Sequence, residues 1–368
     1  MGFLERERAT VAKLLPGLDE RLRAVPLMEL EGPSSPGIQH FRDSGGPRLL
    51  VPESHPGRGA TALDALRVQR ALGSRTPSLA VATTMHHFSM ATLAALSAAN
   101  GDGLRWIIED VASFNTLVAF GFAEERPDAG VLSPSMTATE GPDGVRVSGV
   151  ARARSLARSM DLLMASVMVP RLNGPGEELA VALAPAESEG LSVSGAGADS
   201  EQVTLHDVLL PPDLLVRTSA PSGQPDVLTA GFAWFQLLMT GSCLGAASAL
   251  VEQVLLSNRV PDSERVRLLV EAEGAMSAAE GIARRIDDDG PDESTLAHSL
   301  YVRYCVQDVL SRVVPRAVEL LGNPNSTASD EVGHLATYAN ELDLHPPVRS
   351  QMTGPLTAYL VDGPLTIA

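Results

Sequence analysis

The chain reads as an α+β protein in three parts: an N-terminal helical domain over residues 1–118, a small central antiparallel β domain over 119–216, and a C-terminal helical bundle over 217–368. Three observations carry this reading. Apolar residues first recur at helical spacing. They then alternate in short runs rich in Val, Leu, Ser and Thr, as half-buried strands do. Helical spacing returns with the nearly unbroken apolar run 227–256.

In chain order, the spacing predicts helices over 3–15, 18–24, 61–72, 78–98 and 104–116, with Thr61 as the N-cap of the third. Residues 31–59, dense in Gly, Pro and Ser, predict an extended connection. The runs SMTATE, GVRVSGVA, DLLMASVMV, LAVALAPA, LSVSG and QVTLHDVLL predict strands. Turns at EGPDGV and RLNGPGEE join consecutive strands as antiparallel hairpins. Helices over 227–256, 264–286 and 294–321 follow, the last kinked at Pro315 and stopped by Gly322.

With 368 residues, 44% of them hydrophobic, the chain can build a large aliphatic core without staples. A formal charge of -17, from 28 basic against 45 acidic residues, disfavours nucleic acid and anionic membrane surfaces. The run 232–256 is broken by Gln236, Gly241, Ser242 and Gly245, which predicts a buried core helix rather than a membrane span. The two cysteines, Cys243 and Cys305, lie far from any CxxC spacing and read as buried small hydrophobes in a reducing, cytoplasmic setting. MGFLERERATVAKLL has helical period with acidic residues, which predicts a folded helix rather than a secretory signal.

Several short motifs carry less than their letters suggest. RDSGGPR at 42–48 imitates a serine-protease nucleophile loop, but a mainly helical chain lacks the fold that orients its partners, so the Gly pair reads as a turn. His86 and His87 are adjacent on a predicted helix, diverge by roughly 100° and cannot share a metal; they read as histidines lining or flanking a pocket. Glu331 and His334 form one ExxH, half of the di-iron signature, and no second copy exists. GAGA at 195–198 lacks the strand-to-helix setting of a dinucleotide fingerprint. No metal site is predicted.

Four phrases, in order and register, resemble the acyl-CoA dehydrogenase superfamily across nearly the whole chain: GGPRLLVPESHPGRGATALDALRVQRALG at 45–73, AFGFAEERPDAG at 119–130, VTLHDVLLPPDLLV at 203–216 and RAVELLGN at 316–323. The resemblance implies FAD, an acyl thioester carried by CoA or an acyl carrier protein, and a homo-oligomer whose flavin site is built across a subunit interface. It also implies which residues would hold the cofactor. In the loop before the strands Pro127 and Gly130 match, while Glu124 or Glu125 replaces the usual Thr, and Val131 and Leu132 replace Ser-Asp. Met136, Thr137 and Ala138 keep the usual shape, and Ser155 stands near the family's ring-facing hydroxyl. Of the family's Arg-x-Gln-Phe-Gly, whose Arg reaches a neighbouring subunit's pyrophosphate, Arg259 remains. In the Gln-x-x-Gly-Gly turn Gly322 is kept, Asn323 replaces the second Gly, and Glu319 replaces Gln, placing a carboxylate where a pyrophosphate would be repelled.

The family's carboxylate base falls, by register, either on Phe235 or near His345 and Pro346, and neither position holds a carboxylate, although Glu341 and Asp343 are close in sequence. His345 and Glu341 are therefore the candidate catalytic residues, His345 having a packing role at a helix end as its alternative. Three readings stay open: a divergent flavin oxidoreductase on an acyl thioester, a flavin monooxygenase using His345, and a flavin-free enzyme or scaffold that keeps the acyl cleft.

Overall fold

The computed structural model describes residues 2–99, 104–123, 134, 136–152, 156–171, 175–195, 201–218, 227–322 and 328–367. In chain order the helices α1 (Glu5–Leu14), α2 (Leu18–Arg23), α3 (Leu27–Leu30), α4 (Gly37–Asp43), α5 (Ala62–Arg75), α6 (Pro77–Ala99) and α7 (Arg105–Phe114) come first. The strands follow: β1 (Val118–Ala123), β2 (Met136–Gly141), β3 (Gly144–Arg152), β4 (Leu162–Pro170), β5 (Glu177–Pro185), β6 (Leu191–Ser194), β7 (Gln202–Leu210) and β8 (Leu215–Arg217). Helices α8 (Val227–Leu256), α9 (Asp262–Asp289), α10 (Glu293–Leu321), α11 (Ala328–Asn340) and α12 (Arg349–Tyr359) complete the chain. Residues 1–84 and 232–349 form one compact unit, and 85–231 with 350–368 form another.

In the first unit the helices begin where capping chemistry directs. Thr61 accepts a hydrogen bond from the Asp64 N–H at 3.1 Å and starts α5, as its position predicts. Asp292 does the same for α10 through the Thr295 N–H. The segment 31–59 departs from the expected extended connection. It contains α4 and a short 3-10 turn, Gly46–Arg48, with Phe41 buried beneath Gly46. Neither element is long enough to show a helical period.

Arg70 ties four helices together. Its guanidinium is fully buried, donates to Glu7 at 3.0 Å and Glu273 at 2.7 Å, and its Nε reaches Ser248 at 3.0 Å. The partners sit on α1, α9 and α8, and the cation lies 5.2 Å from the Phe3 ring centroid. Nearby, α5 and α8 touch at backbone level. A Cβ placed on Gly73 would stand 2.3 Å from the Ser242 carbonyl oxygen, and one on Gly245 2.5 Å from that of Arg70. A satisfied polar network lines the same contact: Gln69 Nε2 donates to Thr84 at 2.8 Å, and Thr84 shares a 3.1 Å hydrogen bond with Ser242. Glu31 makes a second junction. Its carboxylate accepts from the Thr76 hydroxyl at 2.6 Å and the Ser78 N–H at 3.2 Å, covering the start of α6, and meets His334 Nε2 of α11 at 2.9 Å.

The second unit contains one sheet, with β6, β7, β3, β1, β4, β5 and β8 side by side and β2 paired to β3 and β4. The β2–β3 and β4–β5 hairpins are antiparallel, as the turns at EGPDGV and RLNGPGEE predict, and β6 and β7 also pair antiparallel. Two pairings add to that pattern: β1 runs parallel to β4 with Val118 opposite Leu162, and β2 runs parallel to β4 with Met136 opposite Val167. The inner strands β4 and β5 are buried along most of their length, which explains their continuous apolar runs. Among the described residues two helices, α6 and α8, are long and apolar enough to cross a membrane, and both are mostly buried inside the protein.

Gly245→Ala inserts a methyl group into backbone contact. We expect a loss of about 1–3 kcal/mol, read as a lower thermal unfolding midpoint, whereas the control Gly281→Ala, exposed within α9 where a Cβ meets nothing, should raise stability by up to about 1 kcal/mol.

Candidate active site

Two clusters of chemistry-bearing side chains stand out, one in each unit. The first surrounds His345. After α11 the chain makes a 3-10 turn, Glu341–Asp343, whose closing hydrogen bonds run from the Leu344 N–H at 2.9 Å and the His345 N–H at 3.1 Å to the Glu341 carbonyl. His345 is 9% exposed, and its ring stands edge-on to that of Phe235 on α8, centroids 6.5 Å apart. His345 Nε2 and a Glu341 carboxylate oxygen are 3.6 Å apart, a distance for charge attraction rather than a hydrogen bond. The two residues proposed from sequence are thus brought together, and Phe235, the other position where the base was sought, meets the His345 ring edge-on.

Arg303 on α10 holds this loop in place. It is fully buried and takes part in no ion pair among the described residues. Its guanidinium donates to the carbonyls of Leu342 at 2.7 Å, His345, and Pro346 at 3.0 Å, and to Gln236 Oε1 on α8. Gln307 adds a hydrogen bond to the Leu342 carbonyl at 2.9 Å, and the Tyr304 hydroxyl one to that of Pro347 at 3.2 Å. Burial pulls the Arg303 pKa down to about 10, which leaves it charged at neutral pH. The sequence analysis missed Arg303 and Gln236 as a pair. The legible signal was Arg303 and Gln307 interrupting the otherwise apolar stripe Leu296, Leu300, Leu310 and Val314. Cys243 lies close by, buried, and burial pushes its thiol pKa up, so it is inert. Cys305, expected to be buried, is exposed on α10.

The second cluster is the His86 and His87 pair on α6. Both are fully buried, with ring centroids 5.4 Å apart. His86 Nδ1 accepts a hydrogen bond from the Val118 N–H at 3.0 Å, which places the proton of the neutral ring on Nε2. Burial first, and then His86, hold the His87 imidazole well below its ordinary value. Among the described residues no group of His, Cys, Asp and Glu could hold a metal ion. His334 of the ExxH is engaged by Glu31.

The residues assigned to a cofactor by resemblance are more scattered. Thr137 is exposed on β2 and donates to the Ser148 carbonyl at 3.3 Å. Arg259 is exposed just beyond α8, and its guanidinium has no partner among the described residues. Gly322 caps α10, its N–H directed to the Glu319 carbonyl at 3.3 Å. Gly130, Ser155 and Asn323, with the loop substitutions at 124–132, lie outside the described residues. The hostile carboxylate Glu319 is paired with Arg316 at 2.6 Å, so the charge that would repel a phosphate is offset by its own neighbour.

A folded-state His87 that resists protonation makes the protein lose stability as pH falls below about 6.5, because the unfolded chain then takes up a proton that the folded one refuses. In His87→Gln, which does not titrate, denaturant unfolding between pH 7 and pH 5 should show a slope shallower by up to about 1.4 kcal/mol per pH unit.

No family model matches the chain. Isobutylamine N-hydroxylase from Streptomyces viridifaciens is 40% identical to it over 379 residues, covering 100% of both chains. The solved nitrososynthase from Micromonospora carbonacea var. africana superposes with a TM-score of 0.79 at 17% identity, covering 97% of each chain. The complex of TdsC, a dibenzothiophene monooxygenase from Paenibacillus sp. A11-2, with FMN and indole superposes with a TM-score of 0.76 at 19% identity, covering 98% of each. The structural likenesses establish the fold, the sequence relative establishes the family, and the chain belongs to the acyl-CoA dehydrogenase superfamily, in the family of isobutylamine N-hydroxylase.

Proposed function

We propose that this protein is a flavin-dependent monooxygenase that N-hydroxylates a small primary amine. The observation that carries the reading is an imidazole, His345, in the loop where the resemblance leads one to expect a carboxylate base, clamped by Arg303 and backed by Phe235. The whole-length relative hydroxylates an amine nitrogen, which supports this substrate class over the acyl thioester.

The described residues fit a flavin mononucleotide better than FAD. Arg259 offers one free cation for one phosphate, and the rest of the element expected to serve a diphosphate is missing. Gln236 offers a fully buried amide N–H, at Nε2, that has no acceptor among the described residues, and a flavin ring presents acceptors. Arg259 lies beyond the end of α8, about 30 Å along the helix from Gln236, too far for one flavin to touch both. This spacing supports a homo-oligomer in which Arg259 serves the flavin of a second copy. Amine, reduced flavin and oxygen are then the partners, and the cytoplasm is the compartment that supplies them.

Reduced flavin and dioxygen supply the electrons and the oxygen atom: RNH2, O2 and FMNH2 become RNHOH, FMN and water. The chain's task is to deliver the amine with its lone pair free. An alkylammonium has none, and with a pKa near 10.4 only on the order of one molecule in a thousand is neutral at pH 7. His345 Nε2 takes the ammonium proton, and the Glu341 carboxylate, 3.6 Å away, stabilises the resulting imidazolium. Phe235 and the buried face of α8 keep water from that side of the ring.

The test supplies the purified protein with FMN, a flavin reductant, oxygen and short primary amines, and measures hydroxylamine by mass spectrometry and peroxide by a coupled assay. We expect N-hydroxylamine from an aliphatic amine, and in His345→Ala about a hundredfold less of it, with the oxygen released as peroxide. Failure of every primary amine, or bleaching of the flavin by an acyl thioester, would overturn the proposal.

A further inference from the structure

Arg303 and Gln236 form a pair with an unusual balance of donors and acceptors. Arginine carries only donors, so the group facing it must be an oxygen. Gln236 meets that demand with Oε1, and its amide cannot flip without turning N–H against a cation. Its Nε2 is therefore held pointing away from Arg303. Gln236 is fully buried, and this Nε2 has no acceptor among the described residues. A glutamate would serve Arg303 better, as a buried ion pair, and would leave no donor unanswered. The chain instead has the neutral amide, whose distinguishing property is the N–H.

The position of that N–H matters. Gln236 adjoins Phe235, whose ring stands against His345, and Arg303 grips Gln236 and the His345 carbonyl with one guanidinium. The amide belongs to the same rigid group as the imidazole. A ligand that answers it must offer an acceptor, beside a buried cation that suits an anionic one. The alkylammonium substrate offers only donors, whereas the pyrimidine edge of an isoalloxazine offers carbonyl oxygens and ring nitrogens, and becomes anionic when reduced.

We infer that Gln236 is a flavin-contacting residue whose Nε2 donates a hydrogen bond to an acceptor on the isoalloxazine ring, its orientation set by Arg303. The inference rests on the flavin-dependent reading above. Gln236 thereby couples two parts of the site: the clamp that fixes His345 also fixes the donor to the cofactor. An unanswered buried amide makes the flavin-free protein less stable than it could be, and cofactor binding removes that penalty.

Two variants test this, read by FMN titration through flavin fluorescence, by the bound flavin's absorption spectrum, and by thermal unfolding without flavin. Gln236→Glu keeps an oxygen for Arg303 and replaces the N–H by an oxygen. The flavin-free protein should melt at the wild-type temperature or above, FMN should bind more than tenfold more weakly, and the bound spectrum should shift. Gln236→Met removes the donor without adding charge and should weaken FMN binding by about three- to tenfold. Wild-type affinity within twofold and an unshifted spectrum in both variants would overturn the inference while leaving the flavin-dependent reading intact. A wild-type protein that binds no FMN would overturn both.

Discussion

A buried guanidinium that hydrogen-bonds to no carboxylate among the described residues is the constraint on which the candidate site depends. Removing such a cation from water costs several kcal/mol unless polar groups replace its hydration shell. Here the replacement shell around the two terminal nitrogens is mostly backbone: the carbonyls of Leu342, His345 and Pro346, joined by the Gln236 amide oxygen. Three carbonyls of one short segment converge on a point only because a positive charge occupies it. The place of His345 beside Phe235 follows from that convergence.

Under the proposed reaction, this arrangement would let the chain depart from a dehydrogenase while keeping its frame. Proton abstraction from carbon calls for a fixed carboxylate; handing an amine nitrogen to an oxidant calls for a base that can be neutral or charged near neutral pH, which imidazole provides. Around such a base, a countercharge acting through carbonyl dipoles is gentler than a direct ion pair. Glu341 supplies the adjacent negative charge at a distance that attracts without a hydrogen bond.

Much of the fold was legible because the signals are local. Thr61 announced α5, and the hairpin turn at EGPDGV announced β2 and β3. The parallel pairings of β1 and β2 with β4 were not legible, since alternation along a strand says which face is buried and nothing about which strand lies beside it. Helix α4 is too short for a period, and Cys305 turns outward from between the buried Tyr304 and Val306. In the site, His345 and Glu341 could be named from sequence, but Arg303 could not be assigned to them, because its partners are carbonyls and carbonyls leave no trace in residue identity. Glu319 was weighed only against a phosphate, although Arg316, three residues earlier, is its partner.

The Glu31 junction has a consequence for the motion of the His345 segment. By gripping His334, Glu31 anchors α11, the helix from which that segment departs, to the start of α6. Arg303 secures the segment itself from Leu342 to Pro346. A chain tethered at its root and along its length behaves like a short bridge between two piers: its deck is stiff, and the freedom left to it is torsional. Any motion during turnover would then be a swing of the imidazole about its side-chain bonds, on a footing that does not travel.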